Sequence, residues 1–180
     1  ALQTLAFELL SEPSEYLDSG VQLAMVRTLA LASGDKGMVA GQVIDMNAAG
    51  TKPQLQALQT MHGLKTGALI RASVRLGALA SGRAGEAQLA SLDRYADAIG
   101  LAFQVQDDIL DIEGDTATLG KQQGADIALD KATYPALLGM TAAKAKATEL
   151  HQAALAALSD FDDKAQLLRQ LADYVIERNH

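Results

Sequence analysis

The sequence contains no cysteine and no tryptophan, only three prolines, and aromatics make up 4% of its 180 residues. Without thiols there is no disulfide framework and no thiolate metal site, and the redox compartment stays open. No apolar run reaches the roughly 18 residues of a membrane span, and no signal-peptide pattern is present. Basic runs are missing too, and the formal net charge of −7 argues against nucleic acid as the main partner. Period-two alternation, the mark of a strand, appears nowhere. His62, His151 and His180 share no metal-ligand spacing, and no nucleophile–base pair, Gly-rich phosphate loop or zinc pattern occurs. What remains is a chain rich in alanine and leucine, 49% hydrophobic, suited to helices that pack closely through small side chains. Its length suffices for one domain with a substantial core. The expectation is an all-α, cytoplasmic protein.

The periodicity predicts a first helix to about residue 10, stopped by Ser11-Glu12-Pro13-Ser14. A long helix over 20–47 follows, apolar at Val21, Met25, Leu29, Val39 and Val43. Gly34, Gly37 and Gly41 inside it point to close packing or a bend. Further helices are expected over 53–80 and 86–112, with a loop at 81–85. The stretch 113–131 is irregular and rich in Gly, Asp and Thr, the kind of loop that carries function. A short helix at 134–139, one over 141–158 and a last one from Asp162 or Asp163 through 177 complete the chain. Ala1 opens in mid-helix with no cap and no initiator methionine, which reads as part of a longer polypeptide.

The most informative segment is Phe103-Gln104-Val105-Gln106-Asp107-Asp108-Ile109-Leu110-Asp111. At 3.6 residues per turn, Gly100, Gln104, Asp107 and Asp111 form one stripe, with Asp108 about 100° round from Asp107. Leu101, Val105, Ile109 and Ile112 fill the opposite, core-facing side. Like charges one turn apart repel by roughly 0.2–0.5 kcal/mol on an exposed helix. No lysine or arginine lies between Arg94 and Lys121 to offset them, so something outside the helix must. Oxygen-only ligands favour a hard divalent cation such as Mg²⁺, which shares its coordination with water and substrate phosphate. A solvated acidic face is the plain alternative. The uncharged Gly100 and Gln104 and the aliphatic neighbours favour a lined cavity instead.

Three lysines could meet such a wall. Lys65 lies mid-helix between Gly63 and Gly67, where a substrate can approach closely, while Lys121 and Lys131 stand in and at the end of the irregular stretch. Lysine serves phosphate as a compact point charge. Gln42 and Asp45 share one face of the second helix, with Gln42 a supporting polar group.

In order along the chain, Gly-Gln-Val-Ile-Asp (41–45), Lys-Thr-Gly-Ala-Leu-Ile-Arg (65–71), Gly-Leu-Ala-Phe-Gln-Val-Gln-Asp-Asp-Ile-Leu-Asp (100–111), Gly-Asp-Thr-Ala-Thr-Leu-Gly-Lys (114–121) and Asp-Lys-Ala-Thr-Tyr-Pro (130–135) form a specific set. With them the sequence resembles the trans-isoprenyl diphosphate synthases, or polyprenyl synthetases, most closely the bacterial farnesyl diphosphate synthases. The resemblance spans essentially the whole chain. It implies an all-α isoprenoid-synthase bundle around a central cavity, with residues 1–180 as the C-terminal part of one domain and the N-terminal helices missing. It also implies a homodimer that joins an allylic diphosphate, dimethylallyl or geranyl, to isopentenyl diphosphate. Mg²⁺ would draw off the allylic diphosphate, the isopentenyl double bond would attack the resulting cation, and the released diphosphate would take the final proton.

By the same resemblance Asp107 would bind Mg²⁺ directly, with Asp108 and Asp111 as further or water-mediated ligands. Lys65, Lys121 and Lys131 would hold the allylic diphosphate, with Gln42 behind them. Thr66 and Gln104 would turn oxygens toward the developing cation, which makes Lys65, Thr66 and Gln104 the catalytic set. Fixed dipoles aimed at transient charge favour the transition state over the ground state. The family's first aspartate-rich motif and its isopentenyl-binding region are absent from these 180 residues, and Ala40 replaces a common glycine. These residues alone are therefore expected to be inactive. A terpene cyclase of the same fold, or a non-catalytic helical subunit of a heteromeric synthase, are the alternatives.

Overall fold

Glycine decides where the second predicted helix breaks. In the computed structural model, which describes residues 1–48, 50–51, 53–113 and 132–178, the expected helix over 20–47 is two helices. These are α2 (Ser19–Ser33) and α3 (Met38–Ala48), joined by a turn at 34–37. A Cβ at Gly37 would lie 2.1 Å from the Ala32 carbonyl oxygen, so the break has room only for glycine. The break also rotates the apolar face. Met25 and Leu29 are buried in α2, whereas Val39 and Val43 are exposed and α3 buries Gly41.

Before this pair, α1 (Leu2–Ser11) buries no residue and leaves Leu2, Leu5 and Leu9 exposed. Asp18 starts α2 by accepting a hydrogen bond from Gly20 N at 2.8 Å, a side-chain N-cap. The expected helix over 53–80 begins at Leu55 and has three parts. α4 (Leu55–His62) runs into one wider π turn (Gly63–Gly67), which continues as α5 (Ala68–Ala80). After the loop at 81–85, α6 (Glu86–Glu113) is the longest described helix. Beyond residues 114–131, α7 (Tyr134–Leu138) and α8 (Met140–Ala157) follow. The Asp162 side chain caps a short 3-10 turn (Asp163–Ala165) that leads into α9 (Gln166–Glu177).

α6 is the axis of the core. Its Leu92, Tyr95, Ala96, Ile99, Ala102, Val105 and Ile109 are buried against α4, α7, α8 and α9. α8 meets it through Leu150 and through Ala143, Ala147 and Ala154, whose small side chains let the two helices approach closely. The Tyr95 hydroxyl donates to the Leu168 carbonyl at 2.7 Å and ties α6 to α9. Among the described residues no strand occurs, and no helix is long and apolar enough to cross a membrane. The fold is all-α, as expected.

Candidate functional site

Two glycine contacts bring the predicted site residues together. A Cβ on Gly100 would lie 3.3 Å from the Gly67 Cα, so α6 and the π turn touch almost backbone to backbone. One turn along α6 from this contact, the Thr66 hydroxyl donates to Gln104 Oε1 at 3.0 Å. A Cβ on Gly41 would lie 2.2 Å from Lys65 N and 2.5 Å from its Cα, so α3 presses on the other side of the same turn. A π turn carries one residue more than an α turn, and such bulges are frequent at functional sites. Here it holds Lys65 and Thr66 between α3 and α6.

Lys65 Nζ donates to Asp45 Oδ2 at 2.5 Å, an ion pair in which both side chains are partly buried. Asp45 thus aims the lysine, while Gln42 on α3 is exposed. The three carboxylates of the stripe have different surroundings. Asp107 is 39% exposed, and its Oδ1 lies 3.7 Å from Arg178 Nη2. Asp108 is buried and accepts a hydrogen bond from Tyr134 N at 2.8 Å, which anchors the first turn of α7. Asp111 is buried at the end of α6. Lys121 and Lys131 lie outside the described residues.

Arg178 is the residue that sequence reasoning missed. The expectation that something outside the helix offsets the stripe holds for Asp107, and among the described residues a cation that does so, Arg178, comes from just beyond α9. A lone arginine after a helix end carries no pattern, since cations there ordinarily serve the helix dipole. Tyr134 was equally silent. Its ring is fully buried and meets His62 edge-on, with centroids 5.7 Å apart at 70°. Among the described residues its hydroxyl has no hydrogen-bond partner. Burial pushes the phenol upward, and the Asp108 charge adds to the shift.

For a divalent cation, the donor set is entirely oxygen: the carboxylates and the Gln104 amide. Among the described residues no group of three His, Cys, Asp or Glu side chains converges as a closed cage. The fit is therefore an open one, suited to Mg²⁺, which takes one or two carboxylates and completes its shell from water and phosphate. That Asp107 already faces a cation shows that its position attracts positive charge.

Comparison with known proteins places the chain in a family. The polyprenyl synthetase family model covers residues 1–172. The chain is 53% identical over 184 residues to the farnesyl diphosphate synthase of Escherichia coli (strain K12), covering 99% of this chain and 61% of that protein. It therefore spans about three fifths of the relative's length. An FPP/GFPP synthase from Zymomonas mobilis superposes with a TM-score of 0.83 at 40% identity, over 97% of this chain and 57% of that one. A geranyltransferase from Helicobacter pylori, solved with magnesium and isoprenyl diphosphate, gives a TM-score of 0.80 at 33% identity, over 96% and 56%. The chain belongs to the polyprenyl synthetase family.

Proposed function

We propose that these residues form one wall of a prenyltransferase site that joins an allylic diphosphate to isopentenyl diphosphate. The observation that carries this reading is the packing of the Lys65–Thr66 turn against Gln104 on α6, one turn before Asp107. The farnesyl diphosphate synthase name of the Escherichia coli relative supports it, as does the magnesium–isoprenyl diphosphate complex of the Helicobacter protein.

In this reading Asp107 would hold Mg²⁺, with Asp111 and Asp108 as further or water-mediated ligands, and Asp108 also holds α7 in place. Mg²⁺, when bound, offsets charge on the departing diphosphate. Lys65, aimed by Asp45, binds the same diphosphate, joined by Lys121 and Lys131. Thr66 spends its one hydroxyl hydrogen on Gln104, which leaves its oxygen lone pairs to face developing positive charge. Gln42, exposed on α3, would support the diphosphate from behind these lysines. The same reading makes the protein a cytoplasmic homodimer and residues 1–180 part of a single synthase domain. The exposed Leu2, Leu5 and Leu9 of α1 support a covered face there.

Calorimetric titration with inorganic pyrophosphate tests the wall directly. Binding is expected only with Mg²⁺ present, and weaker by about tenfold or more in Asp107→Ala and Lys65→Ala. Equal binding without Mg²⁺, or unchanged affinity in Asp107→Ala, would overturn it.

A further inference from the structure

Arg178 follows α9, yet its side chain lies on α6, 75 residues from Phe103 along the chain. Its main-chain N–H donates to the Tyr174 carbonyl at 2.9 Å, which fixes where the side chain starts. Nη2 donates to the Phe103 carbonyl at 3.2 Å, and the guanidinium carbon sits 4.2 Å above the Phe103 ring. The side chain is 9% exposed. Carbonyl and ring together seat a planar cation without any help from Asp107.

The contact with Asp107 is of another kind. At 3.7 Å it is an ion pair beyond hydrogen-bond length. Arg178 thus holds Asp107 by charge alone, and a ligand of denser positive charge can take its place. The guanidinium would keep its seat on Phe103 throughout such an exchange.

We propose that Arg178 is the resident counter-ion of Asp107, exchanged for a divalent cation when the site loads, and that the displaced guanidinium then turns its donors to the diphosphate. The inference rests on the reading of α6 as a metal–diphosphate wall. In the unloaded protein Arg178 offsets the like charges of the stripe. In the loaded protein Mg²⁺ takes over that role, and the fork-shaped guanidinium suits phosphate oxygens. One residue would then oppose binding of the metal alone and favour binding of metal with diphosphate. A residue that only supports the fold would move both in the same direction.

The test uses Mn²⁺ as a paramagnetic probe, with free ion measured by electron paramagnetic resonance, and pyrophosphate titrated by calorimetry in Mg²⁺. Arg178→Gln is expected to bind Mn²⁺ alone about fivefold or more tighter, and Mg²⁺–pyrophosphate weaker by a similar factor. Arg178→Lys keeps the charge and loses the fork, so its Mn²⁺ affinity stays near wild type while pyrophosphate binding falls. This second variant reads the exchange even if Arg178→Gln does not fold. Mn²⁺ affinity that is unchanged or lower in folded Arg178→Gln, or pyrophosphate affinity unchanged in Arg178→Lys, would overturn the exchange. Wild-type protein that binds neither Mn²⁺ nor Mg²⁺–pyrophosphate would overturn the metal wall, and the exchange with it.

Discussion

A hydrogen in place of a methyl group at position 41 lets α3 lie directly on the backbone of Lys65. The ideal Cβ would meet Lys65 N at 2.2 Å and Leu64 C at 2.8 Å, both main-chain atoms held by helix geometry. Gly41→Ala must therefore push α3 outward. The expected cost is about 1–3 kcal/mol in urea unfolding, together with weaker pyrophosphate binding, because Asp45 moves with α3. Tyr95 gives a pH-dependent expectation. Burial pushes its phenol up to about 12 from an ordinary value of 10.0. Because the folded value is the higher one, this stabilisation is fully present below pH 10 and is lost as pH rises through about 12. The melting temperature of wild type should fall across that window. Tyr95→Phe should lose roughly 1 kcal/mol at neutral pH, where the Leu168 hydrogen bond is missing, and show a shallower alkaline decline. Parallel alkaline declines in the two proteins would contradict the assignment.

Among the elements, α6 was the most legible and the α2–α3 break the least. Along α6, Val105 and Ile109 are buried where a 3.6-residue repeat puts them, while Leu101 and Ile112 are only half-buried and Gly100 and Asp111 of the stripe are buried too. The acidic stripe was legible for the same reason. Gly34 and Gly37 read as a bend, and a break stands there, but its position depends on steric room against Ala30 and Ala32, which no local pattern encodes. The π turn was invisible, because its extra residue is accommodated by α3 and α6 packing from either side. Arg178 escaped notice because its meaning comes from α9 ending beside Phe103, a tertiary fact. The docking of α7 yields an expectation at this scale. Asp108→Ala leaves Tyr134 N buried without its acceptor and should cost about 1–3 kcal/mol, with hydrogen exchange faster in α7 than in α8. Asp108→Asn keeps an acceptor oxygen and should recover most of that loss. Uniform exchange in all three proteins would remove Asp108 from this role.

For the whole molecule, the core around α6 and the stripe at its C-terminal end belong to one packed unit, so the site's precision comes from the same contacts that hold the fold. These 180 residues span 61% of the length of the Escherichia coli relative and contain one aspartate-rich wall. A polypeptide of these residues alone should bind Mg²⁺–pyrophosphate and turn over no geranyl diphosphate. The most direct measurement is therefore made in a longer polypeptide that joins them to the part of the relatives they do not span. Supplied with Mg²⁺, geranyl diphosphate and labelled isopentenyl diphosphate, that polypeptide should form a C15 product. Asp107→Ala in it should lower kcat by about 10²-fold or more, with the melting temperature unchanged. Wild-type kcat in a folded Asp107→Ala protein would contradict the assignment of the α6 stripe to the reaction.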